Sequence, residues 1–229
     1  MTVPVAVFAS GSGTNLQALL DHEREEDAHY RVELVVSDRP EIPALERAQT
    51  AGRATAVVDA EGEDGGESDL MEALEAAQIQ AVFLAGYLRL VPPALTRRFD
   101  GRILNVHPAL LPAFGGKGMY GLRIHKAVLA RGLRVTGVTV HFVNEEYDQG
   151  DVLAQWPVPV CPGDTPETLA DRVLGVEHVL YPASADHLCR ALAQGDAPEP
   201  MEPFSERFLL ALDPPDYELR RQIRRAFPR

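Results

Sequence analysis

Short, nearly unbroken apolar runs alternate with stretches of helical rhythm over the first half of the chain. Residues 3–9 form one such run, Ser10-Gly11-Ser12-Gly13-Thr14 follows, and Leu16, Ala18, Leu19 and Leu20 then recur at helical spacing. The order is strand, glycine turn, helix. The same alternation predicts strands at 32–36, 54–58 and 81–85 and helices at 44–51, 69–77 and 94–99, with Gly52 as a helix stop. Strands that are apolar on both faces and separated by helices imply a parallel sheet with right-handed crossovers. A further strand at 103–107 ends at Pro108, which has no N–H to pair.

The pattern changes in the second half. Residues 135–143 and 152–160 alternate Val with small or polar residues, as antiparallel strands do. A helix from about Glu167 precedes Tyr181-Pro182, and another apolar pattern runs on to Ala193. The expected fold class is α/β, a Rossmann-like open, mostly parallel sheet flanked by helices, with antiparallel strands in the C-terminal half. Residues 1–200 read as one body and 201–229 as an extension, expected to be helical. There, Leu219, Ile223, Ala226 and Phe227 share one helical face, and Arg220, Arg221, Arg224 and Arg225 lie largely on the other. Such a segment suits docking on the body or on a second copy, so a homodimer is one expectation.

Composition narrows the function. With 22 Lys and Arg against 34 Asp and Glu, the formal charge is −12, so nucleic acid is not an expected partner and a bound phosphate must be held by local geometry. The run Glu61-Gly62-Glu63-Asp64-Gly65-Gly66 reads as a solvated loop. Cys161 and Cys189 stand far apart, outside any zinc or CxxC spacing, and both read as small buried hydrophobes. No metal site is expected. The chain has neither a signal-peptide pattern nor an apolar stretch of membrane-spanning length, so a cytoplasmic protein with no membrane partner is expected.

Two places carry candidate chemistry. In the first turn, Gly11 and Gly13 let the backbone approach an anion at a helix N-terminus, while Thr14 and Asn15 add side-chain donors. A dinucleotide fingerprint would need a third glycine where Leu16 stands, although Asp38 after the second strand would suit a ribose. A cradle for one phosphate fits better than that reading or a bare tight turn. Gly116-Lys117 lacks the spacing of a triphosphate loop.

The stronger signal is Asn105-Val106-His107-Pro108-Ala109-Leu110-Leu111-Pro112. Residues two apart on a strand share a face, so the Asn105 amide and His107 imidazole can address one reacting atom at the carboxyl edge of the sheet. An imidazole in catalysis needs a partner to set its tautomer and basicity. Asp148, in the polar turn from Asn144 to Gly150 that follows the run Thr139-Val140-His141-Phe142-Val143, is the best candidate, although spacing alone does not select it from Glu145, Glu146 and Asp151. His141 is either a support behind the site or a strand histidine that merely satisfies a hydrogen bond.

Taken together, Gly11-Ser12-Gly13-Thr14-Asn15-Leu16, Leu84-Ala85-Gly86-Tyr87-Leu88-Arg89, the run from Asn105 to Pro112, the run from Thr139 to Val143, Asp148-Gln149-Gly150, and Glu177-His178 followed by Tyr181-Pro182 resemble the folate-dependent formyltransferases over about residues 3–190. The resemblance implies an enzyme with 10-formyltetrahydrofolate as co-substrate, whose formyl carbon is attacked by the amino group of glycinamide ribonucleotide in purine synthesis. It implies Asn105, His107 and Asp148 as the catalytic set: Asn105 and His107 at the oxyanion, His107 as general acid, Asp148 orienting the imidazole. Gly13, Thr14 and Asn15 would hold the phosphate and Glu177 the sugar or glycinamide arm. Arg89, Leu90 and Val91 would line the folate pocket, with Val143, Asn144 and Asp148 around the pterin.

Three departures from relatives concern substrate contacts: the longer segment at 115–121, Leu174 in place of a polar contact, and a loop near Ser68 without an arginine. Siblings formylate a tRNA or a nucleotide sugar, or release formate to water. A tRNA enzyme would add a basic domain for which residues 201–229 are too few, and the hydrolase an N-terminal regulatory domain before the first strand.

Overall fold

The computed structural model describes residues 2–58 and 66–201. Seven strands form one sheet in the order β3-β2-β1-β4-β5-β6-β7. They are β1 (Val3–Ala9), β2 (Tyr30–Ser37), β3 (Ala54–Val57), β4 (Ala81–Leu84), β5 (Ile103–His107), β6 (Val135–Phe142) and β7 (Val152–Pro159). β1 to β5 are parallel, β6 pairs antiparallel with β5, and β7 pairs antiparallel with β6. The helices are α1 (Thr14–His22), α2 (Pro43–Thr50), α3 (Glu67–Ala76), α4 (Pro93–Arg98), α5 (Leu122–Ala130) and α6 (Pro166–Gln194).

The two-residue period of the strands divides the core. On β1, Val3, Val5, Val7 and Ala9 face a cluster shared with α1, α2, α5 and α6, while Ala6 and Phe8 face a smaller one closed by α3 and α4. Both faces are therefore covered, which explains the unbroken apolar runs. Strand order reverses direction between β1 and β4, and the loops after these strands part there, opening a crevice at the strands' carboxyl ends.

Two helical features depart from expectation. The sequence pattern marked no helix at 122–130, because the glycine-rich segment before it obscures the Ile124 and Val128 pair that α5 buries. And α6 is one helix of 29 residues that continues through Pro182. A helix-interior proline costs about 3 kcal/mol, and burial of Leu169, Val173, Tyr181, Ala185 and Leu188 along α6 offsets it. Its N-terminus is fixed by a reciprocal cap between Thr165 and Thr168. Cys189 is buried as expected, but Cys161 is exposed in the turn after β7, where its N–H donates to Asp164. Among the described residues, no helix is long and apolar enough to cross a membrane. The extension's amphipathic segment and most of the acidic loop lie outside the described residues.

Candidate active site

At the end of β5, Leu104 and Val106 enter the larger core cluster, so Asn105 and His107 both face the opposite side. β6 lies alongside and pairs Asn105 with His141. Behind them Tyr181 donates its hydroxyl to the carbonyls of Leu84 and Leu104, at 3.0 and 3.1 Å, tying α6 to the ends of β4 and β5. Thr139 holds the loop after His107 by accepting from the Leu111 N–H and donating to the Ala109 carbonyl.

Asp148 is the carboxylate that reaches these groups. Its backbone adopts φ +56°, in the left-handed region that non-glycine residues rarely occupy. Gly150 packs so closely on the Phe142 carbonyl that a Cβ there would overlap it. The turn thereby places one carboxylate oxygen 3.6 Å from His107 Nδ1 and the other 3.6 Å from His141 Nε2. Asn105 Nδ2 lies 3.0 Å from His141 Nε2 and 3.5 Å from Asp148 Oδ1. His141 thus backs the site as a hydrogen-bond partner of the Asn105 amide.

A carbonyl only accepts, so the protons on both imidazoles can be assigned. His107 Nε2 donates to the Phe114 carbonyl at 2.9 Å, and His141 Nδ1 donates to the Phe142 carbonyl at 2.8 Å. In its neutral form His107 therefore presents an unprotonated Nδ1 toward Asp148. Burial lowers the pKa of His107 and outweighs the opposing pull of Asp148, which favours that neutral form. Burial would raise the Asp148 carboxyl, but the neighbouring imidazoles of His141 and His107, with the Gly116 N–H donated to it, overcome this and hold the group below its ordinary range. The resting pair is a neutral imidazole beside a carboxylate.

The site opens into a cavity of about 770 Å³ lined by Asn105, His107, His141 and Asp148, the turn of residues 11–15 and Glu177, whereas Asp38, Glu145 and Asp151 do not line it. At one end lies the turn of residues 11–15. Gly13 has φ +71°, and a Cβ on it would stand 2.7 Å from Ala44 Cα of α2, so only glycine fits. Arg47 of α2 donates to the Ser12 carbonyl at 2.9 Å and steadies the turn from behind. Asn15 Nδ2 donates to Glu177 at 2.5 Å, joining the turn to α6. Burial raises the Glu177 carboxyl above its ordinary value, with the Asn15 bond acting in the opposite direction. Leu16 is fully buried where a dinucleotide fold would need glycine.

On another side, Arg89, Leu90 and Val91 follow β4, facing Val143 and Asn144 after β6. Leu90 is exposed and Val91 buried, giving an apolar wall whose rim is open. Leu174 also lines the cavity, whereas Ser68 does not.

Sequence reasoning marked residues 115–121 only as a longer segment and missed the part that the stretch between Pro112 and α5 plays in holding His107 and Asp148. Its Phe114 carbonyl holds His107, its Gly116 N–H donates to Asp148 Oδ2 at 2.8 Å, and Gly115 between them leaves no room for a side chain. Left-handed backbone at Phe114 and Gly116 produces this path, and the density of glycines was its only trace in sequence.

The family model described as "Formyl transferase" matches residues 3–185. This chain belongs to the formyl transferase family. It is 45% identical over 189 residues to the chloroplastic phosphoribosylglycinamide formyltransferase of Arabidopsis thaliana, an alignment covering 81% of this chain and 65% of that protein. It is 34% identical to the phosphoribosylglycinamide formyltransferase of Bacillus subtilis, covering 78% and 90%. Glycinamide ribonucleotide transformylase 1 from Geobacillus kaustophilus superposes with a TM-score of 0.76 at 41% identity, covering 82% of this formyl transferase and all of that chain. This family member thus spans just under two thirds of the Arabidopsis protein's length.

Proposed function

We propose that this formyl transferase moves the formyl group of 10-formyltetrahydrofolate to the amino group of glycinamide ribonucleotide, a step of purine biosynthesis. The observation that carries the reading is the convergence of Asn105, His107 and Asp148 in a cavity that the glycine turn of residues 11–15 also lines. The names of its relatives support the same acceptor.

The acceptor's phosphate rests on Gly11, Gly13, Thr14 and Asn15 at the N-terminus of α1, with Glu177 against its sugar or glycinamide arm. The folate lies along Arg89, Leu90 and Val91, its pterin against Val143, Asn144 and Asp148. The amine nitrogen attacks the formyl carbon, and the carbonyl pair moves to oxygen. Asn105 donates to that oxyanion. His107 Nδ1 takes the proton released by the amine, and Asp148 stabilises the imidazolium that results. The carbon–nitrogen bond to the folate then breaks as its N10 receives a proton from His107. A formamide and tetrahydrofolate leave, and the imidazole is neutral again. The lowered pKa of His107 adds a base's duty before the acid's duty implied by the family resemblance.

The same reading takes residues 1–200 as the catalytic unit, in the cytoplasm, with a homodimer as one assembly open to it. The test is purified protein with 10-formyltetrahydrofolate, with and without glycinamide ribonucleotide. Tetrahydrofolate release that depends on the amine supports the reading; equal release with water alone replaces it with hydrolysis.

A further inference from the structure

His125 is a buried histidine that the reaction scheme leaves unused. It lies in the first turns of α5, where Ile124 and Val128 enter the core while His125 borders the reaction cavity at 3% exposure. Its Nδ1 is closed off from the cavity as from solvent, while Nε2, which also has no hydrogen-bond partner among the described residues, keeps accessible surface. An unpaired imidazole nitrogen at a cavity wall is open to a hydrogen bond from a ligand.

Position indicates which ligand. α5 packs on α6, and α6 supplies Leu174 and Glu177 to the same cavity, with Glu177 bonded to Asn15 of the phosphate turn. His125 also lies close enough for its charge state to depend on His107. The folate wall is built from other segments, the loops after β4 and β6. α5 and α6 therefore line this cavity side by side. Leu174 has no polar atom with which to hold a molecule there, whereas an imidazole can donate or accept.

We propose that His125 is a further substrate-binding residue, whose imidazole hydrogen-bonds the sugar or glycinamide arm of the acceptor between His107 and the phosphate turn. This rests on the acceptor assigned above. The bond forms with the acceptor alone and does not involve the formyl donor, so His125 controls acceptor affinity and leaves the donor's unchanged.

The full-length chain carrying His125→Phe, which keeps the ring and removes both nitrogens, is titrated calorimetrically with glycinamide ribonucleotide and assayed for the KM of each substrate. The expected result is acceptor binding weakened about 10- to 100-fold, a donor KM within about twofold of wild type, and partial recovery in His125→Gln, whose amide can again hydrogen-bond. Equal losses for both substrates, or none for the acceptor, overturn the assignment. A measurement on the unmutated chain covers a variant that fails to fold: the His125 ring ¹⁵N resonances should shift with glycinamide ribonucleotide alone and stay in place with tetrahydrofolate alone. No shift while the wild-type chain turns over removes only this inference. A wild-type chain that neither binds nor formylates the acceptor removes the functional reading as well.

Discussion

The two ends of the cavity are built by opposite means. At the reaction end, side chains from β5, β6 and the Asp148 turn are held by one another and by two loop contacts, the Phe114 carbonyl and the Gly116 N–H. At the phosphate end, residues 11–15 present backbone on a turn whose shape is set by packing against α2. The first arrangement positions titratable groups and tunes their protons. The second recognises an anion by geometry, as a chain of net charge −12 requires. Chemistry should therefore fail at one end while affinity fails at the other.

The largest effect is expected for His107→Ala. Loss of the proton-transfer group should lower kcat by about 10²–10⁴-fold with little change in either KM, and a large rise in acceptor KM instead would merge the two ends. The unmutated chain carries a matching pH signature. Because burial lowers the pKa of His107, the base form persists below the ordinary histidine value of about 6.5, so the acid limb of kcat/KM should fall below that pH.

Gly115→Ala tests the loop contacts. The new Cβ would stand 2.6 Å from Leu111 Cδ2, which the leucine side chain can relieve by turning, and 3.2 Å from Asp148 Cβ, which presses on the residue carrying the carboxylate. A 1 Å misplacement is worth about 10² in rate, and this smaller displacement should lower kcat by less than that in steady-state kinetics, with binding nearly intact. Gly13→Ala is the counterpart at the phosphate end. Strained by φ +71° and blocked by α2, it should raise the acceptor KM by about tenfold and leave the donor KM alone.

The smallest effect concerns stability. Folding raises the pKa of Glu177 above its unfolded value near 4.5, so the stability it supports is complete below that pH and is lost as pH rises through the folded value. Glu177→Gln cannot titrate. Its Tm should therefore gain on wild type as pH climbs from 4.5 toward 8, which thermal melts across that range would measure.

Much of this was legible along the chain. The strand at 3–9 has the bounds its apolar run predicts, because a strand covered on both faces is apolar throughout, and the strand at 103–107 ends where Pro108 predicts. The antiparallel pair was readable from alternation, and the shared face of Asn105 and His107 from a two-residue spacing. Their placement at the sheet's carboxyl edge also follows from chain order.

Tertiary structure decided the rest, through contacts that local pattern does not encode. Spacing left Glu145, Glu146 and Asp151 equal to Asp148, and only the left-handed turn and the Gly116 N–H bring one carboxylate between two imidazoles. Pro182 reads locally as a break, yet packing along α6 keeps the helix whole. The nitrogen that His107 presents depends on a carbonyl seven residues away, reached because Phe114 and Gly116 turn the backbone left-handed. Periodicity records which face of an element is buried. The direction of a hydrogen bond depends on where another segment comes to rest.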